Sequence, residues 1–210
     1  MADAQDSKSC DGNIMSVRPR PPAPYTTFRI NKGKIMNIWT DIESERIKSD
    51  DFIACIEIQQ GDKTKYELDK STGLLIMDRV LYTSTHYPMN YGFIPLTLSE
   101  DGDPLDVFVL CSQPLERLCL VRCYPIGVIE MTDIDLKDEK IIAIPFGDPQ
   151  YNNYKDISEL PQHIFDELKH FLSVYKQLEY KKVKVESLGD SKRAREIIVE
   201  SIDRFNKLKK

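Results

Sequence analysis

Asp101, Asp103 and Asp106 place three carboxylates within six residues, on the segment Asp-Gly-Asp-Pro-Leu-Asp that runs into Val107-Phe108-Val109-Leu110. Gly102 and Pro104 keep that segment out of a helix or a central strand. The apolar run after it reads as a buried strand. Three acids are thus expected on a rigid turn at the mouth of a core strand. Like charges 4 Å apart repel by about 4 kcal/mol per pair at an effective dielectric of ~20. Something positive must offset that, and a hard divalent cation with oxygen ligands is the usual partner. The segment is not an EF-hand loop, because Asp106 stands where that loop needs Gly and Ser112 where it needs Glu. It also differs from an Asp-x-Asp phosphotransferase loop, whose apolar strand comes before the first Asp. Here Thr97-Leu98-Ser99-Glu100 comes before it. A plain solvated acidic loop is the ordinary alternative, so the rest of the chain decides.

A second acidic stretch, Met131 to Lys140, carries Asp133, Asp135, Asp138 and Glu139 on an expected loop between two strands. Alone it reads as a hairpin tip; beside the first stretch it is a candidate second set of metal ligands. The chemistry of a polyanion also needs cations and phenols. Lys65 and Arg79 fall on strands, Arg offering a planar fork for phosphate oxygens and Lys a point charge. Tyr87-Pro88-Met89-Asn90-Tyr91-Gly92 reads as a rigid turn with two phenols, and Tyr175-Lys176 lies on a helix. Tyr175 is on that helix's apolar stripe, which also gives it a packing role. His86 is a lone histidine, read as structural.

The elements that must position these groups are mostly strands. Phe52–Ile58, Thr64–Asp69, Leu74–Val80, Val107–Leu110, Leu118–Tyr124 continuing to Ile129, and Lys140–Ile144 read as short strands at close spacing with no helix between them. Two helices follow. Ile164, Phe165, Leu168, Phe171, Leu172, Tyr175 and Leu178 form one apolar stripe; Ala194, Ile197, Ile198, Ile202 and Phe205 form another, with Ser191 as the expected N-cap and a short strand at Val183–Val185 between them. The expected fold class is α+β, mainly β: a closed antiparallel five-stranded OB-like β-barrel packed by two C-terminal helices.

With 210 residues and 41% hydrophobic content the chain fits one domain behind a tail, which is rich in proline from Arg18 to Pro24. A net charge of −5 argues against a nucleic-acid surface. Five cysteines without a Cys-x-x-Cys pair fit reduced thiols in a cytosol-like compartment. No run of 18 apolar residues suggests a membrane span, and no secretory signal is visible.

Taken in order, Lys65-Tyr66-Glu67-Leu68-Asp69, Asp78-Arg79-Val80, Tyr87-Pro88-x-Asn90-Tyr91-Gly92, Asp101-Gly102-Asp103-Pro104-Leu105-Asp106-Val107 and Met131-Thr132-Asp133 resemble the family I soluble inorganic pyrophosphatases. The resemblance spans about Phe52 to Glu179. It implies a pyrophosphatase domain over 41–210 behind an extension at 1–40, and hydrolysis of pyrophosphate to two phosphates by Mg²⁺-activated water. It further implies Asp101, Asp106, Asp133, Asp138 and Glu67 as ligands of several Mg²⁺, with Glu57 as a supporting acid. Asp103 would be the general base. Lys65, Arg79, Tyr91, Lys140, Tyr175 and Lys176 would hold the phosphates, with Tyr91, Lys65 and Arg79 also acting in catalysis and Tyr87 hydrogen-bonding nearby. It implies a cytoplasmic homo-oligomer that binds neither nucleic acid nor membrane. The pattern departs at Leu136, where the family commonly has Gly; a positive φ there would strain Leu. The rival from another class is a non-enzymatic barrel binding single-stranded nucleic acid, which predicts a basic groove with stacked aromatics.

Overall fold

The structure is a computed structural model that describes residues 36–133, 136–180 and 183–208; of Asp133 and Leu136 it describes the backbone alone. Cys10 and the proline-rich stretch Arg18–Pro24 lie outside the described residues.

Nine strands and two α-helices make up these residues. They are β1 (Phe52–Ile58), β2 (Thr64–Leu68), β3 (Leu75–Val80), β4 (Asn90–Ile94), β5 (Leu105–Val109), β6 (Leu120–Asp133), β7 (Leu136–Lys137), β8 (Lys140–Pro145), α1 (Gln162–Val174), β9 (Val183–Asp190) and α2 (Ser191–Leu208). The fold is mainly β with two C-terminal helices. Pairing runs β1-β4-β5-β8-β6-β7, and β6 also pairs with β1 and β9. β2 and β3 form a separate antiparallel hairpin.

Three expectations are corrected. The set is not wholly antiparallel, because β5 and β8 run parallel, with Asp106 opposite Lys140. Parallel neighbours need a crossover, and β6 supplies it between them. The Tyr87–Gly92 turn is in its second half a strand, β4, all of it buried. The acidic stretch read as one loop is mostly ladder: β6 runs to Asp133, and β7 pairs back on it with Leu136 opposite Asp133. Leu136 thus sits in a strand.

β1, β4 and β8 are buried along their whole length, and β1 and β8 accordingly read as largely apolar runs. One core cluster gathers Phe52, Ile56, Val107 and Ile141 with Ala194, Ile197, Ile198 and Phe205 of α2. Trp39, placed by the sequence in the extension, belongs to this cluster; its Nε1 donates to Thr97 O at 2.9 Å and its ring lies 5.8 Å from Phe205. The other cluster gathers Phe108, Ile142 and the tyrosines 87, 91 and 175 with Phe165, Leu168, Phe171 and Leu172 of α1. The cap of α2 is Asp190 rather than Ser191: Asp190 Oδ1 accepts from Arg193 N at 2.8 Å. Asn90, fully buried, accepts from the amides of Gln60 and Leu115 and donates to Gln113 O, pinning two loops to the start of β4.

Candidate active site

The acidic turn is built by its glycine and its proline. Gly102 has φ +86°, a left-handed conformation that strains other residues. Asp101 Oδ1 accepts from Asp103 N at 3.0 Å and closes the turn. The chain then enters β5, where Asp106 stands opposite Phe93 of β4 and Lys140 of β8. Tyr91 and Phe108 are the next facing pair, with rings 4.8 Å apart. One face of β4, β5 and β8 therefore carries Tyr91, Asp106, Phe108 and Lys140 side by side.

Glu57 joins them through an irregularity. The β1–β4 register shifts between Ile56 and Ile58, so Glu57 is the extra, unpaired residue and reaches the same cleft. Its Oε1 accepts from Leu68 N of the hairpin at 2.8 Å. Close approach of β4 to β1 is possible because Gly92 has no side chain: a Cβ there would lie 1.9 Å from Cys55 O.

Lys140 Nζ, almost fully buried, lies 2.6 Å from Asp106 Oδ2 and 2.8 Å from Asp138 Oδ1, and donates to Tyr91 Oη at 3.3 Å. Burial opposes its charge, but the two carboxylates hold its pKa well above the ordinary lysine value. Asp106 is pushed up by burial and by Asp138, against the pull of Lys140. Burial and the neighbouring Asp103 charge push Asp101 up despite the amide it accepts. Glu57 is pushed well above its ordinary value by burial and by Asp106. Tyr91 and Tyr87 are raised chiefly by burial, so both phenols stay protonated.

The resulting cleft has a volume of about 650 Å³. It contains Asp101, Asp103, Asp106, Asp138, Glu57 and Glu67, together with Lys65, Tyr87, Tyr91, Lys140, Tyr175 and Lys176. Tyr175 caps the end of α1, its ring stacked on Phe171 at 5.1 Å, with Lys176 Nζ 5.3 Å from the Tyr175 centroid. Arg79 is not brought into the lining; its Nε donates to Glu179 at 2.8 Å, and Asp78 pairs with its Nη1. The Asp133 carboxylate lies outside the described side chains.

Seven carboxylates face four ammonium groups around the cleft, counting Asp69 and Lys70 with those above. Asp69 is used locally: the hydroxyls of Thr72 and Ser71 and the Ser71 amide hold its pKa down to about 2. Among the described residues no three or more carboxylates, histidines or cysteines converge as an ion would need. Lysines hold several of the acids instead, Lys140 between Asp106 and Asp138, Lys65 on Glu67 and Lys70 on Asp103. The donor set nonetheless fits a hard cation: it is all carboxylate oxygen, and burial and neighbouring carboxylates hold Asp101 and Asp106 above their usual pKa.

The family model described as inorganic pyrophosphatase matches residues 54–206. The chain belongs to the inorganic pyrophosphatase family. Soluble inorganic pyrophosphatase 2 of Chlamydomonas reinhardtii is 43% identical over 175 residues, covering 83% of this chain and 91% of its own. Soluble inorganic pyrophosphatase 3 of Arabidopsis thaliana is 46% identical over 195 residues, 90% of each chain. The crystal structure of inorganic pyrophosphatase from Thermus thermophilus superposes with a TM-score of 0.78 at 35% identity, covering 81% of this chain and 99% of that one. That from Helicobacter pylori gives 0.74 at 40%, covering 76% and 96%.

Sequence reasoning missed Lys70 and Glu179, the partners of Asp103 and Arg79. No local pattern marks either, since the pairing depends on where the hairpin folds back. Among the described residues no helix is long and apolar enough to cross a membrane.

Proposed function

We propose that this inorganic pyrophosphatase splits its substrate with water oriented by Asp103, with Asp101, Asp106, Asp133, Asp138 and Glu67 holding Mg²⁺. Lys65, Arg79, Tyr91, Lys140, Tyr175 and Lys176 bind the phosphates. The observation that carries the reading is the charge balance of the cleft: seven carboxylates against four ammonium groups. Pyrophosphate brings up to four more negative charges, and it enters such a cleft only with divalent cations. Mg²⁺ held there would supply neutralisation of phosphate charge and a more acidic attacking water.

The remaining work falls to the protein's own groups. Phosphoryl transfer asks mainly for positioning and charge stabilisation. The phenols of Tyr91 and Tyr175, kept apolar-side by the Phe108 and Phe171 rings, offer neutral donors to phosphate oxygens. Lys65 and Lys176 both line the cleft, one from the hairpin and one from just after α1. Asp103 sits between Gly102 and Pro104, where the backbone is fixed and aims one carboxylate separately from its neighbours. A carboxylate so placed takes or orients a water proton. The same reading makes the ring of pairings through β1, β4, β5, β8 and β6 a closed OB-like barrel, and the active form a cytoplasmic homo-oligomer with a catalytic domain from about residue 41.

A phosphate-release assay against pyrophosphate, tripolyphosphate and ATP at millimolar Mg²⁺ and mildly alkaline pH tests the substrate. Pyrophosphate is expected to be turned over fastest, with two phosphates per substrate. Equal or greater turnover of the nucleotide would reassign the substrate.

A further inference from the structure

The cleft has two walls that the main sheet does not join. One is the β2–β3 hairpin with Lys65 and Glu67, which also carries Arg79 outside the lining; the other is the end of α1 with Tyr175 and Lys176. One ion pair bridges them. Glu179, on the 3₁₀ turn Gln177–Glu179 directly after those two residues, accepts from Arg79 Nε at 2.8 Å. The two residues are 100 apart in sequence, and their side chains are only 8% and 17% exposed. The pair is therefore largely shielded from water, where a charge-assisted bond is strong. Asp78 engages Nη1. Arg79 Nη2, in contrast, is buried and has no hydrogen-bond partner among the described residues. A buried guanidinium nitrogen without a partner is costly unless something fills it.

We infer that Glu179 is a positioning residue: it fixes the Arg79 guanidinium, whose Nη2 is the one donor without a partner among the described residues, and it ties the β2–β3 hairpin to the turn after α1. This rests on the pyrophosphatase reading above. Asp78 and Glu179 take the other two nitrogens, and the planar fork then has one remaining direction. Without Glu179 the guanidinium rotates about its flexible stem, and Nη2 no longer faces one place. Burial works against the Arg79 charge, and the Glu179 and Asp78 carboxylates keep it charged.

The test is a double-mutant cycle on Glu179→Gln and Arg79→Ala, read as kcat and KM for pyrophosphate, with inorganic phosphate binding by calorimetry and melting temperature alongside. Glu179→Gln is expected to lower kcat/KM and phosphate affinity by about ten- to a hundredfold, the worth of one charge-assisted bond. In the Arg79→Ala background the same change is expected to do almost nothing. Should the Gln variant melt below the assay temperature, Glu179→Asp carries the same cycle, since it keeps the charge but draws it back by one methylene. An equal loss from Glu179→Gln with and without Arg79 would overturn the inference, as would kcat/KM within twofold of wild type. Wild-type turnover in the same assay keeps these outcomes separate from failure of the substrate reading.

Discussion

At the scale of single residues the acids divide by surroundings. Asp106 lies against Lys140 and Asp138 at the floor of the cleft, whereas the Asp103 side chain is more than half exposed and pairs with Lys70. Asp103→Asn is expected to leave calorimetric Mg²⁺ affinity near wild type while turnover falls by a factor on the order of 10²–10⁴ for a lost general base. Equal loss of Mg²⁺ affinity in Asp103→Asn and Asp106→Asn would make Asp103 another ligand. Glu57 gives a pH prediction. Burial and Asp106 raise its folded pKa, so the folded state binds a proton that the unfolded chain releases. Metal-free stability is then full below the unfolded Glu value near 4.3, and falls as pH rises from there toward the raised folded value. Glu57→Gln removes that charge while keeping the shape. It is expected to raise the metal-free melting temperature at pH 8 and leave it unchanged near pH 4. A lower melting temperature at pH 8 would mean that the charge is offset by groups not counted above.

At the scale of elements, Asp156 joins two helix starts, that of the 3₁₀ turn Ile157–Glu159 and that of α2. Its Oδ1 accepts from Ser158 N at 3.0 Å and its Oδ2 from Ser191 N, the first residue of α2, at 2.8 Å. Burial alone would raise its pKa, but the amides of Ser191 and Ser158 hold it below the ordinary value. Its contribution is therefore complete above the unfolded Asp value near 3.9 and is lost as pH falls through the folded one. Asp156→Ala is expected to cost about 1 kcal/mol at pH 7 by denaturant unfolding, and less at pH 3; an unchanged midpoint at pH 7 would contradict the bridge. Elements with a strong local period were legible: β1 matched its expected span, and the α1 stripe from Phe165 to Leu172 and the α2 stripe pack as the 3.6 repeat requires, whereas Leu178, read as the end of the first stripe, lies past α1 and is exposed. β4 was hidden because Pro88 and Gly92 read as turn residues, and Gly92 is there for the backbone of β1 rather than for a turn. The parallel β5–β8 pair and the length of β6 depend on partners far along the chain, which no local window contains. Lys65 and Lys140 were candidates from the sequence, but their pairing with the acids, and Lys70 altogether, came only with the fold.

At the scale of the whole molecule, the homo-oligomer expected from the family gives a direct outcome: light scattering at micromolar concentration should show more than one subunit, and a 24.3 kDa monomer would contradict it. The larger claim is that a cleft with more carboxylates than cations works only when divalent ions complete it. A Mg²⁺ titration of phosphate release from pyrophosphate, on EDTA-stripped protein with Asp106→Asn beside wild type, tests that claim most directly. No release is expected from stripped wild type, full recovery is expected with Mg²⁺, and the Asp106→Asn curve is expected to shift to higher Mg²⁺ with a lower plateau. Stripped protein that hydrolyses pyrophosphate at the full rate, or an Asp106→Asn curve that overlays wild type, would contradict that claim.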